Sequence, residues 1–184
     1  MIILALGTNV TSRWGDATST IREALRQLDC AGITVIRRSA LYVTTPYGVT
    51  DQPDFVNAAA VVCAALPPTA LLSVLKTIEA KAGRGKHTRR WGPRALDLDI
   101  IDYKGLIVNW RKDQAFFPKY KYNLVLPHPQ AHRRAFVLQP LSEIAPEWHH
   151  PVYGQGTAYF LTRLRNAKEG RILKIVNEPD ELNA

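Results

Sequence analysis

The residues best suited to chemistry are two aspartates in the stretch ALDLDIID, at positions 95–102. Acidic and aliphatic residues alternate there, so Asp97 and Asp99 would point to one face of a strand and their aliphatic neighbours to the other. Two carboxylates on one face repel each other unless a cation lies between them or one of them binds a proton. The pair therefore indicates a metal site, although a DxD pair taken alone is more often the solvated face of an amphipathic edge strand.

The residues that precede this pair are basic and favour a turn. The segment RRWGPR, at positions 89–94, contains three arginines, and its Gly92 and Pro93 are typical of a turn rather than a helix. Guanidinium groups bind phosphate oxygens, and carboxylates bind the magnesium that bridges those oxygens. A basic loop that leads into an acidic strand therefore has the two parts that polyphosphate chemistry needs.

Composition narrows the class of protein. The chain has 184 residues with a formal net charge of +8, which fits one domain with a sizeable core. A basic surface can bind nucleic acid, an acidic membrane or an anionic small substrate, and an aromatic content of 9% favours none of these. The start, MIILALGTN, lacks a basic n-region, and no apolar run is long enough to cross a membrane. We expect a cytoplasmic protein that does not bind membranes.

The two cysteines give a further expectation about the compartment. Cys30 and Cys63 have apolar neighbours in the sequence and lack metal-ligand spacing. We therefore expect both to be buried thiols of a reducing compartment rather than metal ligands.

The apolar periodicity predicts strands and helices that do not alternate regularly. Asp16 or Thr18 would cap the first helix, Thr69 would cap the second, and Gly83 would end it. The predicted strands are 2–6, 33–43, 55–64, 95–103, 106–109, 124–126 and 171–176, and the predicted helices are 18–28, 70–82, 131–140 and 157–166.

This order of elements predicts an α+β fold. We expect a ferredoxin-like α/β sandwich with a mostly antiparallel central sheet flanked by helices. Residues 1–184 would form a single domain, with an insertion at about 110–122 and a C-terminal extension at about 149–184.

Four blocks of the sequence carry a resemblance to a known family. They are LALGTN at 4–9, TTPYGVTDQPDFVNAA at 44–59, IEAKAGR at 78–84 with RWGPRALDLDII at 90–101, and LPHPQAHRRAFVLQPLSEIAPEW at 126–148. In these blocks the chain resembles the 6-hydroxymethyl-7,8-dihydropterin pyrophosphokinases of folate biosynthesis. The block RWGPR-x-LDLDI is highly specific, whereas LGTN alone would be a weak signal.

The resemblance implies a pyrophosphoryl transfer. ATP, as co-substrate, would give its β,γ-pyrophosphate to the hydroxymethyl group of 6-hydroxymethyl-7,8-dihydropterin, and AMP would leave. It also implies that Asp97 and Asp99 bind two Mg²⁺ ions against the phosphates and that Arg84 and Arg94 act in catalysis. One Mg²⁺ would lower the pKa of the substrate hydroxyl, so this reaction needs no separate protein base.

The resemblance also implies which residues bind the pterin. Phe55 and Phe136 would sandwich the ring, Asn57 would hydrogen-bond its edge, and backbone groups of Thr45 and Tyr47 would help. Plain core packing is the alternative for both phenylalanines. Asn57 is different, because an asparagine in an otherwise apolar strand needs a hydrogen-bond partner.

The remaining matched residues would bind ATP. Arg84 and Arg94 also suit the nucleotide on physical grounds, because the guanidinium of an arginine binds phosphate through two parallel hydrogen bonds. Each cation could instead be a solvated surface residue, and the histidine of the Pro-His-Pro turn could simply bond the backbone. The ATP-binding set implied by the resemblance is Glu79, Lys86, Arg90, Trp91, Ile100, His128 and Arg134.

Two other functions stay open on the sequence. A ferredoxin-like sheet with a basic loop can bind RNA, although the acidic pair would repel phosphates and no aromatic-rich RNA-binding strand is present. A diverged paralogue could bind ATP or pterin without turnover, because Asn123 and Val125 stand where the family often has a basic residue and a threonine. The intact aspartates and pterin-binding residues argue against it. We expect a monomeric enzyme whose partners are its two small substrates, with no nucleic acid.

Overall fold

The central element is a six-stranded sheet, and every strand pair in it is antiparallel. The computed structural model describes residues 1–85, 91–111, 124–167 and 169–176. The strands are β1 (Ile2–Thr8), β2 (Thr34–Arg38), β3 (Leu41–Thr44), β4 (Phe55–Cys63), β5 (Asp97–Tyr103) and β6 (Ile172–Val176). Their order is β5-β1-β4-β3-β6, and β2 pairs with β4 beside β3.

Helices cover both faces of this sheet. One face carries α1 (Ala17–Cys30) and α2 (Pro68–Ala82), and the other carries α3 (Ala135–Ile144) and α4 (Thr157–Leu164). Successive residues of β1 point to opposite faces of the sheet. Leu4 therefore packs in the core under α1 and α2, and Ile3 packs in the core under α3 and α4. The predicted α+β sandwich with an antiparallel sheet and flanking helices is confirmed.

The helix ends confirm two predictions and correct a third. The side chain of Asp16 caps α1 by accepting a hydrogen bond from the Ser19 N–H at 2.8 Å. Gly83 ends α2 with a left-handed φ of +102°. The prediction of Thr69 as the cap of α2 is wrong, because the helix already begins at Pro68, where a missing N–H costs no hydrogen bond.

The predicted strand 33–43 is two strands, β2 and β3, separated at Ser39 and Ala40. The Ser39 N–H donates to the Ala59 carbonyl at 3.0 Å, and the Ser39 hydroxyl accepts from the Ala59 N–H at 3.0 Å. The Ala40 N–H donates to the carboxylate of Glu143 in α3, at 3.0 Å. The side chains of Ser39 and Glu143 thus accept backbone N–H groups that would bond a neighbouring strand in a regular ladder, and the strand is interrupted here.

Three more predictions are corrected in the second half of the chain. The helix predicted at 131–140 is a 3-10 turn at Ala131–Arg133 followed by α3, because Arg134 has an extended backbone between them. The strands predicted at 106–109 and 124–126 are a single bridge between Val108 and Leu126. Cys30 and Cys63, expected to be buried, are both exposed, since each is the last residue of its element.

Part of the predicted insertion and some of the predicted site residues are not among the residues that the structure describes. Residues 112–122, which are most of the predicted insertion, lie outside the described residues, as do Lys86, Arg90 and Asn123. Within the described ranges, no helix combines the length and the apolarity that a membrane span requires.

Candidate active site

A cleft of about 300 Å³ opens where the ends of β1, β4 and β5 meet α2 and three loops. Charged side chains line one part of it and aromatic side chains line another. The charged residues are Lys76, Arg84, Arg94, Asp97, Asp99 and Arg134, and the aromatic ones are Tyr47, Phe55, Trp91 and Phe136.

The two aspartates lie side by side on β5 and face the cleft. Asp97 pairs with Gly7 and Asp99 with Ala5 of β1, and their side chains are 30% and 32% exposed. Leu98, between them, is fully buried on the opposite face, as the alternation predicts. Burial and the negative charge of Asp99 both raise the pKa of Asp97. A cation near the pair would remove this repulsion.

Arg84, just beyond the end of α2, connects the helix to the aspartates. Its Nη1 lies 2.5 Å from Asp97 Oδ1 and 2.7 Å from Glu79 Oε1. The same Glu79 oxygen accepts the Leu98 N–H at 2.7 Å, so one buried carboxylate fixes both the arginine and the strand that carries the aspartates. Glu79 is only 2% exposed, and burial raises its pKa against the opposing charges of nearby cations.

Arg94 approaches the pair from the opposite loop. Its Nη1 lies 3.5 Å from Asp97 Oδ1. Its backbone is clamped to the end of β1, because the Arg94 N–H donates to Asn9 Oδ1 at 2.8 Å and the Asn9 N–H donates to the Arg94 carbonyl at 3.1 Å. The two arginines predicted to be catalytic therefore flank the same carboxylate.

His128 faces Asp99 as a neutral donor. Burial lowers its pKa to about 4, despite the charge of Asp99, so the ring is neutral at pH 7. Its Nδ1 accepts the Gln130 N–H at 3.2 Å, which places the proton of the neutral ring on Nε2. That Nε2 lies 3.7 Å from Asp99 Oδ2. The hydrogen-bond network thus directs an N–H toward the acidic pair.

The aromatic part of the cleft is built on β4 and the start of α3. Phe55 and Asn57 lie two residues apart on β4, and both line the cleft. Asn57 is buried, and its Nδ2 donates to Thr44 Oγ1 at 2.9 Å. The rings of Tyr47 and Phe136 lie 5.9 Å apart with a tilt of 59°. These apolar faces beside a buried amide could hold a flat heterocycle and hydrogen-bond its edge.

Arg134 joins the charged and aromatic parts. Its guanidinium carbon lies 5.7 Å from the ring centre of Tyr47 and 5.7 Å from that of Phe136, which are cation–π distances. Its Nη2 donates to Gln130 Oε1 at 2.5 Å. The side chain is therefore held between the two parts of the cleft.

The structure places most of the predicted site residues together. All the predicted site residues that the structure describes line the cleft, except Glu79 and Ile100. Glu79 lies beneath it as the anchor of Arg84, and Ile100 is buried on the opposite face of β5. Lys86 and Arg90 lie outside the described residues. The individual binding roles of these residues stay predictions.

The sequence reasoning missed Lys76, Asn9 and Gln130, which line the cleft or hold its residues in place. Lys76 lines the cleft, and its Nζ lies 2.6 Å from Glu79 Oε1 and 3.2 Å from the Leu98 carbonyl. Its position three residues before Glu79 on α2 was a usable signal, because residues at that spacing share a helix face. Asn9 holds Arg94, as described, and its Nδ2 also donates to Gln52 Oε1 and the Pro53 carbonyl, both at 3.0 Å.

Comparison with known proteins identifies the family of this chain. Residues 3–146 match the family model of 7,8-dihydro-6-hydroxymethylpterin-pyrophosphokinase. The chain is 43% identical over 145 residues to a 2-amino-4-hydroxy-6-hydroxymethyldihydropteridine pyrophosphokinase of Methylorubrum extorquens, covering 78% of this chain and 82% of that protein. It is also 43% identical over 143 residues to a mitochondrial folate synthesis bifunctional protein of Arabidopsis thaliana, covering 78% of this chain but 23% of that protein.

A solved structure shares the fold. The crystal structure of Plasmodium falciparum HPPK-DHPS, wild type with STZ-DHP, superposes with a TM-score of 0.64 at 16% identity, over 91% of this chain and 44% of that one. The chain thus spans less than half of that structure and of the bifunctional plant protein. The matched residues 3–146 contain the aspartate pair, the arginines and the aromatic residues of the cleft. By sequence and by fold, the chain belongs to the 7,8-dihydro-6-hydroxymethylpterin-pyrophosphokinase family.

Proposed function

We propose that this chain transfers the β,γ-pyrophosphate of ATP to the hydroxymethyl group of 6-hydroxymethyl-7,8-dihydropterin and releases AMP. The observation that carries the proposal is a single cleft with Asp97 and Asp99 beside three arginines in one part, and Phe55, Phe136 and Asn57 in another. The first part suits a polyphosphate, and the second suits a flat ring with a polar edge. A relative that is 43% identical to this chain over 145 residues is named for this activity.

We further propose that Asp97 and Asp99 hold Mg²⁺ with the nucleotide. Among the residues that the structure describes, no group of three or more His, Cys, Asp or Glu side chains could hold a metal ion by itself. Two carboxylates on one strand face fit Mg²⁺, which is usually bound by one or two carboxylates together with substrate phosphates. When bound, the metal would neutralise phosphate charge during an in-line transfer and lower the pKa of the pterin hydroxyl.

Arg84 and Arg94 would bind phosphate oxygens next to the aspartates. Arg84 is already fixed by Glu79 and Asp97, and Arg94 by the backbone clamp to Asn9. Fixed cations need little reorganisation when charge develops on the transferred group, which is how positioned charges lower a barrier. Guanidinium groups stay protonated throughout, so these residues would supply charge and hydrogen bonds and would not transfer a proton.

His128 would donate a hydrogen bond to the nucleotide. Its Nε2–H points toward the aspartates, and the Gln130 N–H fixes the ring orientation through Nδ1. Because the ring is neutral at pH 7, it would contribute a donor to a phosphate oxygen without adding a full charge.

Phe55 and Phe136 would hold the faces of the pterin, and Asn57 would bond its edge. The Asn57 amide donates to Thr44, so its orientation is set before the ring enters. A ring bound there would lie in the same cleft as the aspartate pair, and its hydroxymethyl group could reach the phosphates.

The proposal is tested by identifying the nucleotide, AMP or ADP, that forms from ATP. We expect AMP to form from Mg-ATP only when 6-hydroxymethyl-7,8-dihydropterin is present, and Asp99→Asn to remove this signal. ADP in place of AMP would show an ordinary kinase on this scaffold. Mg²⁺-dependent ATP binding without turnover would show a diverged paralogue, and either result would overturn the proposed reaction.

A further inference from the structure

The chain continues beyond the residues that match the family and returns to the cleft. After α4 it forms β6, which pairs with β3 and extends the sheet by one strand. The pairing reaches Thr44 opposite Ile172, with an irregular register between Val43 and Thr44. Residues 169–171, just before β6, therefore lie beside the loop that starts at Thr45. These residues are outside the matched range 3–146.

Residues 169–171 bond along this loop at four points. The Thr45 N–H donates to the Arg171 carbonyl at 3.0 Å, and the Arg171 N–H donates to Thr45 Oγ1 at 2.9 Å. The Gly170 N–H donates to the Pro46 carbonyl at 3.3 Å. The Gly48 N–H donates to the carboxylate of Glu169 at 3.2 Å. The loop is therefore held along its length by the C-terminal segment.

Gly170 also fits against the Phe136 ring. It is buried and has a φ of +64°. A Cβ at this position would lie 2.7 Å from Phe136 Cδ1, 3.2 Å from Cε1 and 3.6 Å from Tyr47 Cδ2. The first distance is shorter than two carbon atoms can approach, so any side chain at position 170 would displace the Phe136 ring.

We propose that Glu169 and Gly170 are positioning residues for the pterin, which keep the Thr45–Gly48 loop and the Phe136 ring in the geometry that binds it. The inference rests on the assignment of the aromatic part of the cleft to the pterin, made above. Glu169 acts through Gly48, and Gly170 acts through Phe136. The C-terminal extension is thereby part of substrate binding.

A pair of glycine variants tests Gly170. Gly154 has nearly the same φ, +67°, but nothing lies within 4 Å of a Cβ built on it. Gly170→Ala and Gly154→Ala thus share the backbone strain of a left-handed residue, and only the first displaces a ring. We expect Gly170→Ala to raise the pterin KM by roughly tenfold or more while the ATP KM changes less than twofold, as displaced substrate contacts predict. Gly154→Ala should leave both constants near their wild-type values.

A second pair tests Glu169 without adding any atom to the cleft. Glu169→Ala removes the acceptor of the Gly48 N–H, whereas Glu169→Gln keeps an oxygen that can accept it. We expect Glu169→Ala to raise the pterin KM by about threefold to tenfold with little change in Tm, and Glu169→Gln to restore it. These magnitudes correspond to the loss of one ordinary hydrogen bond.

The outcomes separate this inference from the function it rests on. Phe136→Ala should raise the pterin KM in the same assay; if it does not, the pterin assignment itself is wrong. If Phe136→Ala raises it but Gly170→Ala matches Gly154→Ala, the positioning role of Gly170 is refuted. If Gly170→Ala does not fold, the two Glu169 variants provide the test. Equal pterin KM values for Glu169→Ala and Glu169→Gln would then overturn the inference.

Discussion

The side-chain oxygen of Asn9 accepts the backbone N–H of Arg94 at 2.8 Å, and its amide nitrogen donates to Gln52 and Pro53. One buried asparagine at the end of β1 thereby connects the loop that carries an arginine of the charged part with the loop that leads to β4. Asn9 is the last residue of the LGTN block, and these contacts give it a structural role. They fix the distance between the two loops that border the cleft.

Asn9→Ala should therefore impair both stability and activity. We expect a loss of about 1–3 kcal/mol in the free energy of unfolding, because buried groups lose their partners, and a fall in kcat/KM of about tenfold or more as Arg94 shifts. Denaturant titration and steady-state kinetics measure the two effects. Asn9→Asp keeps the acceptor for Arg94 and should lose less activity than Asn9→Ala; equal losses would show that the Arg94 contact is unimportant.

Lys76 should contribute to ATP binding through its charge. Its side chain is 45% exposed at the cleft, beside the anchor of Arg84, where a bound polyphosphate would gain from a cation. We expect Lys76→Met to raise the ATP KM by about threefold to tenfold, in line with one charge-assisted hydrogen bond partly screened by solvent. The pterin KM should stay within twofold.

Lys81→Met is the matched control for that change. Lys81 lies on the same helix but bonds Gln27 and does not line the cleft. It should keep wild-type ATP kinetics. An equal rise in the ATP KM of both variants would assign the effect to the overall positive charge rather than to the position of Lys76.

Three histidines whose pKa is lowered by burial, His128, His132 and His150, should make the fold less stable as the pH falls. His132 and His150 lie with Trp110, Tyr153 and Phe160 in an aromatic cluster, and burial lowers the pKa of each histidine to about 4. In the unfolded chain all three would titrate near 6.5, so the unfolded state binds more protons between pH 6.5 and 4. Above pH 6.5 these histidines are neutral in both states and do not lower the free energy of unfolding. Below pH 6.5 the unfolded chain binds the extra protons, so the free energy of unfolding falls as the pH falls.

Denaturant titrations from pH 7.5 to pH 5 measure this loss. We expect a decline of at most about 1.4 kcal/mol per pH unit for each histidine. His150→Phe should reduce the slope, although it also removes the acceptor of the Val152 N–H. His149→Phe, at the exposed neighbouring position, should keep the wild-type slope. A wild-type slope in His150→Phe would contradict the account.

The structure shows which parts of the site the sequence can predict. The shared face of Asp97 and Asp99 was predictable because side-chain alternation on a strand is local. The end of α2 at Gly83 was predictable for the same reason, since a helix terminus is set by a few adjacent residues. The family blocks added the residues that we propose bind the pterin and ATP, most of which lie together in the cleft.

The parts that escaped prediction depend on residues far apart in the chain. The break after β2 exists because Glu143 on α3 accepts the Ala40 N–H across 103 positions. The exposure of Cys30 and Cys63 depends on where each element ends in the packed fold. The packing of Gly170 on Phe136 requires β6 to pair with β3, and no local pattern in the sequence specifies that pairing.

The aspartate pair should be essential for turnover but not for folding. Asp97→Asn and Asp99→Asn relieve the repulsion within the pair but also weaken its contacts to Arg84, Arg94 and His128. These effects oppose each other, so the fold should keep its stability to within about 1 kcal/mol. We expect kcat/KM to fall by about a thousandfold or more, because metal-ion stabilisation of phosphoryl transfer contributes several kcal/mol. Asp54→Asn, at an exposed position outside the cleft, should keep wild-type activity. Near wild-type turnover in either cleft variant would refute the metal assignment.

The most direct test follows the phosphorus atoms of ATP into the pterin product. ATP labelled with ³²P at the β position and, separately, at the γ position is incubated with Mg²⁺, the dihydropterin and the enzyme. We expect both labels to appear in the pterin product in equal yield, with one AMP formed per product. Transfer of the γ label alone, with ADP as the second product, would contradict pyrophosphoryl transfer and with it the proposed function.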